Sequence, residues 1–146
     1  MDAFIIRQGK SIPIDDVFRA WTSGDLELMI KVSNNQTNPI DRHFLLQSIV
    51  EETYKLREDE KYKNLCHKFA EVHLIEFPSL AKALKKEMGG LLPRVTTFQY
   101  YATLLTENRQ FEKAKEICQK AISFGLKDGT KAGYEGRIKR IVDKMK

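Results

Sequence analysis

The side chains able to do chemistry are few: His43, His67 and His73, two cysteines at Cys66 and Cys118, and some carboxylates in adjacent pairs. His67 and Glu71 lie four residues apart, so a helix would put both on one face, with Cys66 next to them. A metal site needs three or four converging donors, and the chain has no HExxH or CxxC spacing to supply them. The histidines therefore read as ordinary core or surface groups, and no metal and no cofactor is expected. Cys118 lacks the local signature of a thiol nucleophile, and both cysteines fall on helical apolar patterns far apart in sequence. Two buried thiols in a reducing cytoplasm fit better than a disulfide framework. Adjacent acids such as Asp15 with Asp16 and Glu51 with Glu52 point about 100° apart on a helix and cannot share a substrate. Gly129, Gly133 and Gly136 lack the preceding strand and the GK[ST] ending of a phosphate loop; Asp128-Gly129 reads as a turn, and Gly133 and Gly136, within a helical pattern, indicate close packing or a bent helix start. No catalytic residue emerges, and an enzyme is not expected.

Charge offers a second kind of chemistry. Lys and Arg number 25 against 20 Asp and Glu, a formal net charge of +5. From Arg109 onward 11 basic residues stand against 5 acidic ones, so the excess is C-terminal. Lys131, Arg137, Lys139, Arg140, Lys144 and Lys146, set around Tyr134, are candidate anion contacts. They make a nucleic-acid-associated accessory protein the alternative function, although a solvated helix face has the same composition and needs no ligand.

These groups must be carried by a chain of 146 residues that is 42% apolar, 31% charged and 10% aromatic. That suits one folded domain over 1–146 and excludes low-complexity, collagen-like and disordered classes. No apolar run nears the roughly 18 to 20 residues of a membrane span, so no membrane association is expected. Met1-Asp2-Ala3-Phe4-Ile5-Ile6-Arg7 puts an acid before a short apolar cluster, unlike a secretory signal, so a cytoplasmic location fits.

Helical periodicity dominates the rest. Ile14 to Trp21 reads as a short helix closed by Ser23-Gly24; Asp25 opens another over Leu26 to Val32, ended by Ser33-Asn34-Asn35-Gln36-Thr37. Asn38-Pro39-Ile40-Asp41 starts a helix to about Leu56: Asn38 can cap, Pro39 suits the first turn, and Asp41 complements the dipole. A second stripe, Tyr62, Leu65, Cys66, Phe69, Val72 and Ile75, completes an antiparallel hairpin. Pro78 is expected to end or bend it, with a shorter helix from Ser79 to Met88 stopped by Gly89-Gly90. Beyond Leu91-Leu92-Pro93, Val95 to Glu107 and Gln110 to Phe124 form another pair, and an amphipathic basic helix from Thr130 ends the chain. Phe4-Ile5-Ile6 is strand-like without an evident partner, so the class is all-α.

In the pair from Val95 to Lys127, Phe98, Tyr101, Ala102, Leu105, Phe111, Ala114 and Ala121 follow the order of large and small residues of a helix–turn–helix repeat. In this the segment 95–128 resembles a tetratricopeptide repeat, with Leu126 where that repeat commonly has Pro and Ala102 where it has Gly. The resemblance implies stacked antiparallel hairpins in a right-handed superhelix: degenerate hairpins over 1–92, the clear repeat, and a basic capping helix at 130–146. It also implies a concave face at Thr96, Gln99, Thr103, Thr106 and Glu107, for a protein or peptide partner or a second copy of the chain. The helix from Val95 to Glu107 holds no Lys or Arg, so that face alone does not clamp a carboxylate. The expected function is a non-enzymatic protein-interaction or scaffold module.

Overall fold

Gly89 and Gly90, both at positive φ, and the irregular stretch after them mark the point where the chain divides into two units, Met1–Pro93 and Arg94–Lys146. The computed structural model describes residues 3–146, so Met1 and Asp2 of the N-terminal stretch lie outside the described residues. Helices dominate, consistent with the all-α class, and one two-stranded sheet joins them.

That sheet corrects the reading of the N-terminus. Phe4-Ile5-Ile6 has a partner: β1 (Phe4–Arg7) pairs antiparallel with β2 (Lys10–Pro13), with Ile5 opposite Ile12. The link is Gln8-Gly9, at φ 52° and 79°, the doubly positive geometry of a tight hairpin turn. Gly9 adopts it freely, whereas Gln8 is an unusual residue there. α1 (Asp16–Ser23) and α2 (Leu26–Lys31) start on Asp15 and Asp25, whose carboxylates accept from the Phe18 and Leu28 N–H groups. α3 (Pro39–Lys55) starts on Asn38, which accepts from the Asp41 N–H, with Pro39 in the first turn. α4 (Glu60–Glu87) returns antiparallel along α3: His43 meets His73, and the Cys66 thiol lies against the Val50 carbonyl. Leu45, Leu46, Ile49 and Val50 of α3 and Cys66, Phe69, Ala70 and Phe77 of α4 are buried in this unit.

Pro78 does not break α4, which runs unbroken through the place where two helices were expected. The buried series Phe69, Ala70, His73 and Phe77 continues into Leu80, Ala81 and Leu84, while Pro78 itself is exposed. Proline costs one ladder hydrogen bond on the solvent side, and the continuous apolar stripe outweighs it.

In the second unit, α5 (Thr97–Glu107), α6 (Phe111–Ser123) and α7 (Gly133–Met145) follow one another, and α6 packs against both of the others. Ala102, Ala114 and Ala121 are buried, with Phe98, Tyr101, Leu105, Ile117, Cys118, Tyr134 and Ile141 around them. Arg109 makes the α5–α6 turn at φ 60°, and Gly125 closes α6 at φ 74°.

Candidate functional site

An open cleft of about 270 Å³ lies between α5 and α7. The buried Ala102 and Ile141 form its floor. Thr103 and Thr106 line the α5 side, with Glu107 at that helix's end; Arg137, Arg140 and Lys144 line the α7 side. Helical spacing accounts for both walls. Residues 137, 140, 141 and 144 recur at intervals of three and four, as do 102, 103, 106 and 107, so each helix offers one face.

The loop between α6 and α7 aims the basic wall. Gly129 turns the chain at φ 81°, and a Cβ there would come within 3.1 Å of the Arg94 guanidinium. Asp128, fully buried, accepts from the Thr130 N–H at 2.9 Å, the Thr130 hydroxyl at 2.6 Å and Arg137 Nε. Burial pushes the Asp128 carboxyl up, but the Thr130 hydrogen bonds and the Arg137 guanidinium prevail and hold it below the usual carboxylate value. Thr130 also accepts from the Gly133 N–H at 3.1 Å, opening α7. Arg137 then reaches α5, donating from Nη1 to the Thr103 hydroxyl at 3.1 Å. The Thr103 and Thr106 hydroxyls donate to the Gln99 and Ala102 carbonyls one turn back, at 2.9 and 2.7 Å. Arg140 and Lys144 are exposed and form no ion pair among the described residues.

The cleft gathers part of each residue set proposed from the sequence: Thr103, Thr106 and Glu107 from one, Arg137, Arg140 and Lys144 from the other. Thr96 and Gln99, expected on the open face, are instead buried at 7% and 8% exposure. The stretch Val95 to Gln99 is enclosed, so the open face of α5 begins only beyond Gln99. Gln99 Oε1 is left there without a hydrogen-bond partner. Lys131, Lys139 and Lys146 are exposed and do not line the cleft. Sequence reasoning missed Asp128 as the group that fixes Arg137, and Ala102 with Ile141 as a floor. Nothing in the spacing of positions 128 and 137 signals a contact that depends on a positive-φ turn between them.

In the first unit, His43 Nδ1 and His73 Nε2 lie 2.9 Å apart between α3 and α4, both side chains buried. Burial pushes the His43 imidazole down to about 4; burial, then its His43 neighbour and the Arg42 guanidinium, hold His73 well below its usual value. Arg42 grips Glu76 through two 2.9 Å contacts and donates to the Ser33 carbonyl. No three of His, Cys, Asp and Glu converge as metal ligands among the described residues. Both cysteines are buried and unbridged; burial, as the largest influence, pushes the thiols of Cys66 and Cys118 up, the latter to about 11.

A further cavity, about 310 Å³, lies beside Arg7, Lys10 and Lys86. Arg7 is already held by Asp41 at 2.9 Å, and the Trp21 indole and the Asn38 amide donate to the same buried carboxylate at 3.0 and 2.6 Å. That cluster ties the β-hairpin, α1 and the start of α3 together, and is structural in character.

No protein-family model, curated protein or solved structure matches this chain. Among the described residues no helix is long and apolar enough to cross a membrane.

Proposed function

We propose that the protein is a non-enzymatic protein-interaction module whose second unit is a tetratricopeptide-like helix pair capped by α7, and that the α5–α7 cleft receives a segment of a partner protein. The cleft is the observation that carries this reading: an apolar floor between a hydroxyl wall and a basic wall, open to solvent. Recognition suits its lining better than turnover. The two threonine hydroxyls give their protons to carbonyls of their own helix, which leaves them unactivated as nucleophiles. Arginine and lysine hold charge at neutral pH rather than shuttle protons. The repeat-like reading is supported by the three buried alanines and by α6 lying against both neighbours. The unbridged cysteines suit a cytoplasmic setting.

Phosphate binding by α7 is the weaker reading. Arg137 is neutralised by Asp128, and an apolar floor adds nothing to a phosphate track. Thr106→Trp tests the protein-binding role by filling the cleft from a half-exposed position. A random 12-residue displayed peptide library selected on the full chain is expected to give binders that lose at least tenfold in affinity to T106W, with helix content and unfolding midpoint unchanged. Binders indifferent to T106W would place recognition elsewhere.

A further inference from the structure

We infer that the segment taken by the α5–α7 cleft is acidic: a carboxylate side chain is read by Arg140 and Lys144 while a neighbouring apolar side chain sits on Ala102 and Ile141. The inference rests on the protein-binding reading above and adds the chemistry of the partner.

Three observations lead to it. First, the cations of the cleft are not equivalent. Arg137 spends its guanidinium on Asp128 and on the Thr103 hydroxyl, so it shapes the wall and offers little net charge. Arg140 and Lys144, one turn apart on α7, are exposed and make no ion pair among the described residues. Two neighbouring cations at the mouth of a partly apolar cleft attract an anion and keep it more strongly than they would in open solvent. Second, the size is that of side chains. A volume of about 270 Å³ holds one or two of them and is too small for a nucleotide track or a folded surface. Third, the floor is apolar and buried, so an anion alone leaves it unfilled; a ligand that pairs a carboxylate with an aliphatic or aromatic group uses both halves. Glu107, at the α5 end, disfavours a second carboxylate there. The recognised pattern is therefore one acid beside an apolar residue rather than a polyacidic run.

Arg137 is a positioning residue in this scheme. Loss of its partner, as in Asp128→Asn, should release the guanidinium into the cleft and blur selection, whereas loss of Arg140 and Lys144 should remove selection for acids outright.

The test uses the same displayed library on the full chain, counter-selected on T106W, so that only cleft-dependent peptides are counted. Wild-type protein is expected to enrich Asp or Glu next to a large apolar residue, and selected peptides should weaken at least tenfold against Arg140→Glu/Lys144→Glu. The charge-reversed protein should in turn select Lys or Arg at the same place, which a merely structural role would not produce. Cleft-dependent peptides of neutral or basic composition would overturn the acidic inference and leave the protein-binding reading standing. A library that gives no cleft-dependent peptide overturns both. Binding of a 20-nucleotide single-stranded DNA at about 150 mM salt that is lost in Arg140→Glu/Lys144→Glu but indifferent to T106W would overturn the inference in favour of phosphate binding.

Discussion

A hydrogen bond between two imidazoles needs one N–H and one bare nitrogen, and the surroundings of His43 decide which is which. His43 Nε2 is enclosed with no partner. An orphaned N–H costs more there than an orphaned lone pair, so His43 carries its proton on Nδ1 and donates to His73 Nε2. An added proton must then go to the enclosed Nε2 of a ring packed against Phe44 and Phe77. Both histidines thus stay neutral in the folded chain at pH values where the unfolded chain, with imidazoles near 6.5, binds protons. Their contribution to stability is complete above pH 6.5 and is lost as pH falls toward about 4, where His43 itself becomes charged. At 1.36 kcal/mol per unit, His43 alone is worth up to about 3 kcal/mol across that window. Urea unfolding at pH 7 and pH 4.5 should show a loss of at least about 2–3 kcal/mol, the share of His43 alone, and His43→Leu/His73→Leu should flatten most of that slope. An equally steep slope in the double variant would mean that other groups set the acid sensitivity. The pairing was not legible in the sequence: thirty positions separate the two residues, and only the register of α3 on α4 brings them together.

Helix starts, by contrast, were readable because their cause is local. Asn38 before Pro39 and Asp25 before Leu26 announce caps that the structure forms with the expected side-chain oxygens. The β-hairpin was missed because Gln8-Gly9 is not the usual Asn-Gly or Asp-Gly pair, and because Lys10-Ser11-Ile12-Pro13 has too little apolar alternation to read as a strand. Its place is held from outside, by Arg7 on Asp41 and by the Gln8 N–H donating to Glu87 at 2.7 Å. Pro78 shows the opposite failure, a strong local signal overridden by tertiary burial on either side of it. Since the ring sits exposed within an otherwise regular helix, Pro78→Ala should restore the missing N–H without disturbing the core. The variant should gain about 1–3 kcal/mol in chemical unfolding, less than or equal to the usual cost of an interior helical proline. A loss of stability would show that α4 needs a local distortion at this point. Half of the candidate cleft was legible in the same way, through the periodic faces of the two helices. The floor and the Asp128 anchor were not, since they arise from α6 setting the separation of its neighbours and from the turn at Gly129.

At the scale of the whole chain, the punctuation Gly89-Gly90 and Pro93 visible in the sequence coincides with the boundary between the two units. Each unit has its own buried set, and their charges differ: the second holds 12 basic and 6 acidic residues, the first 13 and 14. Protease susceptibility follows exposed backbone without regular hydrogen bonding, since cleavage requires several residues to extend into the enzyme. The stretch 91–96 is irregular, Leu91 is 74% exposed, and the two glycines before it sit at φ 69° and 98°. A protease that cuts before leucine, at low dose under native conditions, should therefore cleave first at Gly90–Leu91, while the helical leucines, most of them enclosed, resist. Denaturing separation should show two early fragments, and a cation exchanger in urea should retain the C-terminal one more strongly because the basic excess lies on it. First cleavage within α4 or at the β-hairpin would mean that those elements open more readily than the connector, and that the boundary between the units is not the weakest point of the chain.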